Sequence, residues 1–221
     1  MIYLKKNKKI VLSFDLDFTL IDNREGIINS FNYALKKFNL PEINSLEIEK
    51  MIGTPLDEMF AEVCNLNPLL LSSVFREYYG KKGLYQSHLL PGVLIKIKEL
   101  WKDSFTLGII TSKKQEMALK VTKYLKIYKY FSYIIGETEE FKSKLDPRFK
   151  ELLFNKYSGY KFVVIGDHPN DGMLAKNLNC PFVGVLTGFH KADQLKQVNN
   201  SKTLMINNLS DLTTSVIYSL F

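Results

Sequence analysis

Cysteine is nearly absent from this chain: Cys64 and Cys180 are its two, and they lie far apart. That does not suit a disulfide framework, and both read as small buried apolar residues of a protein kept in a reducing cytoplasm. Histidine is scarce as well. His88, His168 and His190 are not spaced as a metal-binding set, although His168 falls in a loop singled out below. No apolar run approaches the roughly 20 residues that span a bilayer, so no membrane partner is expected. The basic stretch Met1–Lys9 is followed by an apolar run that ends in Asp15, too short and too acidic for a signal peptide. Internal repeats and low-complexity tracts are missing. Acid is in deficit, with 23 Asp and Glu against 30 Lys and Arg, a formal net charge of +7. The lysines are dispersed as pairs, Lys5-Lys6, Lys8-Lys9, Lys36-Lys37, Lys81-Lys82 and Lys113-Lys114, and no nucleic-acid motif accompanies them. The expectation is no nucleic-acid partner, and a solvated basic surface that attracts anionic, phosphorylated substrates.

What is present is enough for a sizeable core: 221 residues, 46% hydrophobic and 24% charged, a length for one or two domains. Ile10-Val11-Leu12-Ser13-Phe14 reads as a buried strand and runs directly into Asp15-Leu16-Asp17-Phe18-Thr19-Leu20. Buried carboxylates are costly unless they are paired or bind a metal. At the carboxyl end of a parallel strand they stand where open α/β sheets place their ligands.

From Asp22 to His88 only helices are expected, over 24–39, 45–52, 55–64 and 68–79. Ile27, Ile28, Phe31, Ala34, Leu35 and Phe38 recur at helical spacing, Pro41 follows the first stop, and Pro55 suits a helix start. After the turn Leu90-Pro91-Gly92 the pattern alternates. Strands are expected at 105–110, 133–135, 162–165, 182–185 and 203–206, and helices at 93–101, 114–125, 147–157, 170–178 and 209–219. Alternation of this kind implies a doubly wound α/β fold, a parallel sheet with helices on both faces. The organisation expected is an α/β core of residues 1–21 and 89–221, interrupted by a helical cap of residues 22–88 that would act as a lid.

Four strand ends carry residues suited to one reaction. They offer Asp15 and Asp17, then Thr111 and Ser112, then Lys142 and Lys144, then Asp167 and Asp171. Carboxylates beside a lysine and a hydroxyl suit phosphoryl transfer. Hard oxygen ligands suit Mg²⁺, and cation and lysine together let a carboxylate nucleophile approach a phosphoryl dianion. Each residue has a bland alternative: Thr111 a helix N-cap, Asp171 a charge at a helix N-terminus, Lys144 a solvated lysine.

Asp15-Leu16-Asp17-Phe18-Thr19-Leu20 resembles the DxDxT signature of the haloacid dehalogenase superfamily. Gly108-Ile109-Ile110-Thr111-Ser112-Lys113, Lys144-Leu145-Asp146-Pro147 and Gly166-Asp167-His168-Pro169-Asn170-Asp171 resemble its second, third and fourth motifs, in the family's order. Ile52-Gly53-Thr54-Pro55-Leu56, Leu90-Pro91-Gly92-Val93 and the stretch Cys180–Phe189 resemble the phosphoglycolate phosphatase-like branch with a helical cap. The resemblance implies a Mg²⁺-dependent phosphatase acting on a small phosphorylated metabolite. Asp15 is then the nucleophile and Asp17 the acid/base. Asp15, Asp167 and the Asp17 carbonyl hold the metal, and Asp171 holds metal-bound water or orients Lys144. Thr111, the Ser112 N–H and Lys144, with Lys142 as its rival, hold phosphate. Asn23, Arg24, Gly53 and Thr54 are the candidate specificity residues of the cap. The family usually has Gly where Phe18 stands, a departure that bears on the loop geometry, because Phe resists positive φ. Other activities of the same fold remain open: a pyrophosphatase or nucleotidase, a β-phosphoglucomutase-like phosphotransferase, or a regulatory protein without catalysis. A monomer and a homodimer are equally compatible with the sequence.

Overall fold

A computed structural model describes residues 9–198 and 202–221; the basic stretch before Lys9, including Lys5-Lys6, lies outside the described residues. The chain divides into two compact units, Met1–Ile21 with Leu89–Phe221, and Asp22–His88.

The first unit is built on six strands: β1 (Ile10–Phe14), β2 (Thr106–Lys114), β3 (Tyr133–Glu137), β4 (Lys161–Gly166), β5 (Phe182–Val185) and β6 (Thr203–Ile206). They form one sheet in the order β3-β2-β1-β4-β5-β6, and every pairing is parallel. Ile10, Val11, Leu12 and Phe14 are all buried, as expected of a strand covered on both faces. β1 is flanked on both sides, Val11 opposite Thr106 of β2 and opposite Phe162 of β4. The strand order reverses between β1 and β4, the switch point where a doubly wound sheet opens a crevice.

The connecting helices of this unit are α5 (Val93–Lys102), α6 (Gln115–Tyr124), α7 (Arg148–Lys156), α8 (Pro169–Asn177), α9 (Ala192–Lys196) and α10 (Thr214–Ser219). The doubly wound α/β class expected from the alternating pattern is the one observed.

The second unit holds α1 (Arg24–Lys37), α2 (Ser45–Met51), α3 (Leu56–Val63) and α4 (Pro68–Lys81). α1 buries Gly26, Ser30, Phe31, Ala34 and Leu35, a stripe at helical spacing. It ends where Asn39 adopts φ 56° and Pro41 follows. The core of this unit is aromatic. Phe31 stacks on Phe60 at 4.2 Å, Phe60 meets Phe75 edge-on, and Phe75 stacks on Tyr79.

Details differ from the sequence reading, and the short helix α9 was not expected. Two-residue strands, Ile21–Asp22 and His88–Leu89, pair at the borders of the helical stretch, where no strand was expected. β2 runs on through Thr111 to Lys114, because a register shift after Ile110 lets Lys114 pair with Glu137 of β3. The terminal helix is split: Asn208 caps a 3₁₀ turn at Leu209–Asp211, and Thr213 then caps a fresh helix, α10, by accepting from the Val216 N–H. Among the described residues no helix is long and apolar enough to cross a membrane.

Candidate active site

The site begins where β1 ends. The Asp15 N–H still donates to Ile165 of β4 at 2.8 Å, and the chain then leaves the sheet in a tight turn. Leu20 N–H donates to Leu16 O at 2.9 Å and Phe18 N–H to Ile21 O at 2.7 Å. Phe18 sits at φ 58°, the conformation that glycine would adopt freely. Its ring is buried edge-on against Phe189 at 4.9 Å, and Thr187 Oγ1 donates to its carbonyl at 2.5 Å. The turn therefore forms with Phe at this position, held by ring packing and backbone hydrogen bonds.

That turn delivers Thr19, whose Oγ1 donates to Asp167 Oδ1 at 2.7 Å across the β1/β4 crevice. Asp167 follows β4. Gly166 and Gly188 leave the room: a Cβ on Gly166 would stand 2.2 Å from the Asp171 carboxyl, and one on Gly188 2.0 Å from Asp167 Oδ2. Asp171 lies in the first turn of α8, where its Oδ2 accepts from the His168 N–H at 3.0 Å.

The carboxylates of Asp15, Asp167 and Asp171, all buried, each offer an oxygen within 4.8 Å of the others. Lys144 Nζ donates to Asp15 Oδ1 at 3.0 Å and to Asp171 Oδ1 at 2.7 Å, itself only 5% exposed. Lys142, the other lysine of that connection, is exposed. Asp171 thus bonds directly to Lys144, and the capping and charge roles of α8 coexist with that contact. Thr111 is buried within β2, at the register shift that follows Ile110, and Ser112 beside it is exposed.

The cluster is short of positive charge, since three carboxylates face one ammonium. Burial above all raises Asp15 to about 7; Asp171 and Asp17 add to the rise and Lys144 opposes it. Burial, then Asp15 and Asp171, hold Asp167 well above the usual carboxylate range. Burial alone would lower Lys144, but Asp15 and Asp171 outweigh it and raise it. A divalent cation among the carboxylates would balance this charge, and a donor set made only of oxygens fits Mg²⁺.

Asp17 is turned to a different partner. Its Oδ2 accepts from Lys113 Nζ at 2.8 Å. Lys113 and Thr19 are site residues that the sequence reading did not assign a role. Thr19 was legible as the hydroxyl of its motif, whereas Lys113 was hidden in a lysine pair read as solvated surface. His168 caps α8 through Nδ1, which accepts from the Asn170 N–H at 3.0 Å. Burial pushes His168 down to about 4, with His190 contributing from a ring 4.4 Å away.

The four cap candidates lie in the second unit. Asn23 is buried, its Nδ2 donating to Tyr79 OH at 3.1 Å. Arg24 forks onto Asp22, with Nε 3.0 Å from Oδ2. Gly53, at φ 108°, and Thr54 are exposed in the turn between α2 and α3.

The profile of the haloacid dehalogenase-like hydrolases matches residues 12–185, which includes all four strand ends of the site. The chain is similar to phosphoglycolate phosphatase from Vibrio cholerae, 26% identical over 198 residues, covering 84% of this chain and 88% of that protein. It is equally similar to phosphoglycolate phosphatase from Photorhabdus laumondii, 26% identical over 215 residues, covering 93% and 91%. Among solved structures, a haloacid dehalogenase-like family hydrolase from Streptococcus pneumoniae superposes with a TM-score of 0.81 at 28% identity, covering 92% of this chain and 97% of that one. With the profile spanning most of the chain and the fold and motif order in agreement, this chain belongs to the haloacid dehalogenase-like hydrolase family.

Proposed function

We propose that this protein is a Mg²⁺-dependent phosphatase of small phosphorylated metabolites, phosphoglycolate-like in size and charge. The observation that supports it most is the buried lysine that bridges Asp15 and Asp171, with Asp167 in the same cluster at the switch point of the sheet. Asp15, Asp167 and the Asp17 carbonyl would hold the cation, which would neutralise phosphoryl oxygens and favour ionised Asp15.

In this reading Asp15 attacks phosphorus and the ester P–O bond breaks. Asp17 gives its proton to the departing oxygen. Asp17 then takes a proton from water, which attacks the phosphorus of the aspartyl-phosphate and releases inorganic phosphate, leaving Asp15 a carboxylate. Lys144 keeps Asp15 oriented and offsets phosphoryl charge, joined by Thr111 and the Ser112 N–H. Thr19 keeps Asp167 in place. The helical unit, 22–88, serves as the substrate-selecting cap, with Asn23, Arg24, Gly53 and Thr54 as its candidate residues. Cys64 and Cys180, which form no disulfide, suit a cytoplasmic enzyme.

The test is turnover of p-nitrophenyl phosphate with Mg²⁺ and with EDTA, beside Asp15→Asn. The expected result is Mg²⁺-dependent release of p-nitrophenol that Asp15→Asn abolishes. Turnover unaffected by EDTA, or undiminished in the variant, would overturn the reading. A panel of phosphoglycolate, nucleoside monophosphates, pyrophosphate and sugar phosphates then separates a phosphomonoesterase from a nucleotidase, a pyrophosphatase and a mutase.

A further inference from the structure

We infer that Lys113 is the positioning residue for Asp17, a role that rests on the phosphatase reading above. Lysine ammonium groups ordinarily reach water, even where their stems are covered. The Lys113 side chain is only 8% exposed, whereas that of its neighbour Lys114 is 62% exposed and pairs with Glu137. The backbone accounts for the contrast. Successive strand residues face opposite sides, and past the register shift that follows Ile110 the Lys113 N–H donates back to Thr111 Oγ1 at 3.2 Å. That local turn aims the Lys113 side chain inward, and its Nζ stands 2.8 Å from Asp17 Oδ2.

The two lysines donate to different acids. Lys144 donates to Asp15 and Asp171, and Lys113 donates to Asp17. The Asp17 side chain is 26% exposed, far more open than those of Asp15 and Asp171. It also precedes a left-handed residue in a turn outside the sheet. Proton exchange with a leaving oxygen demands fixed geometry; the hydrogen bond from Lys113 Nζ to Asp17 Oδ2, across 96 residues of chain, supplies it, with the transferred proton carried on Oδ1. Lys113 acts through Asp17 and bonds to neither substrate nor metal in this role.

The prediction concerns the first half of the reaction, in which the ester P–O bond breaks and Asp17 protonates the departing oxygen. An acidic leaving group such as p-nitrophenol departs with little help. Phenol, with a pKa near tyrosine's value of about 10, and an alkyl alcohol need the proton. The experiment measures kcat/KM for p-nitrophenyl, phenyl and alkyl phosphates in wild type, Lys113→Met, Lys113→Arg, Asp17→Asn and the Asp17→Asn/Lys113→Met double variant. Lys113→Gln replaces Lys113→Met if the latter fails to fold.

Lys113→Met is expected to lose about tenfold or more in excess on the phenyl and alkyl esters over p-nitrophenyl phosphate. Lys113→Arg restores most of that loss. In the Asp17→Asn background, Lys113→Met adds nothing further. An equal loss on every ester, or an undiminished Lys113 effect without Asp17, overturns the inference and makes Lys113 a structural lysine. A wild-type protein that cleaves none of the esters overturns the phosphatase reading itself, a result distinct from both.

Discussion

Phe18 stands at φ 58° where an ordinary side chain is disfavoured, and the structure says what keeps it there. Replacing it separates two energies of opposite sign. Its side chain is buried, with the residue 7% exposed, and its ring meets Phe189 at 4.9 Å and 74°. Truncating a buried Phe costs about 3–5 kcal/mol. The left-handed backbone costs a non-glycine residue about 1–2 kcal/mol, which glycine does not bear. Glycine in turn loses about 0.5–1 kcal/mol more conformational freedom on folding than alanine. Phe18→Ala is therefore expected to lose about 3–5 kcal/mol, and Phe18→Gly up to about 1.5 kcal/mol less than that. The order wild type, then Gly, then Ala inverts the usual preference for alanine over glycine within regular structure. Urea denaturation of the three proteins in the absence of Mg²⁺ reads this order directly. Thermal unfolding should separate each kcal/mol by about 2–4 °C for a chain of this size. Phe18→Gly should also keep turnover, since the hydrogen bonds of the turn, Phe18 N–H to Ile21 and Thr187 to Phe18 O, need no side chain at this position. Phe18→Ala proving more stable than Phe18→Gly would refute the strain argument. Phe18→Gly matching wild type would refute the contribution assigned to the ring.

Two further outcomes follow from the acid cluster. Burial raises Asp15 to about 7, so below that pH the metal-free protein holds a proton that a cation must displace. Mg²⁺ affinity should then weaken as pH falls from 7 to 6, by up to about tenfold per displaced proton, and should level off at higher pH once Asp15 and Asp167 are ionised. Titration calorimetry in two buffers of different ionisation enthalpy would reveal the released proton; pH-independent binding without proton release would contradict the burial argument. Gly188→Ala would set a Cβ 2.0 Å from Asp167 Oδ2 and so displace that carboxylate or the loop beside it. Weaker Mg²⁺ binding is expected, with a smaller effect on folding stability; unchanged Mg²⁺ affinity would show that Asp167 does not hold the cation.

Much of this was legible in the linear sequence because parallel strands buried on both faces appear as unbroken apolar runs. Phe162–Ile165 is of that kind, and Ile10–Phe14 is broken only by Ser13; the first leads through Gly166 to Asp167 and the second runs directly into Asp15. The helical stretch was equally plain from its spacing, although the short strands at its borders are too brief to leave a pattern. The split of the last helix came from Asn208 and Thr213, caps whose effect on a weak amphipathic stretch is decided by local hydrogen bonds.

The sequence by itself determined the fold class, the family, and which polar side chains its motifs offer, because those depend on local periodicity and on short motifs. Tertiary structure alone decided how they pair. It buried Lys144 against Asp15, 129 residues away, and left Lys142 exposed. It turned Lys113 inward past a register shift in β2, joined Thr19 to Asp167 across 148 residues, and seated Phe18 in a glycine-like conformation against Phe189. The physical reason is one of range. Periodicity reports which face of an element is buried, whereas a lysine's choice of carboxylate depends on separations of about 3 Å between segments far apart in the chain, and only the packed sheet sets those.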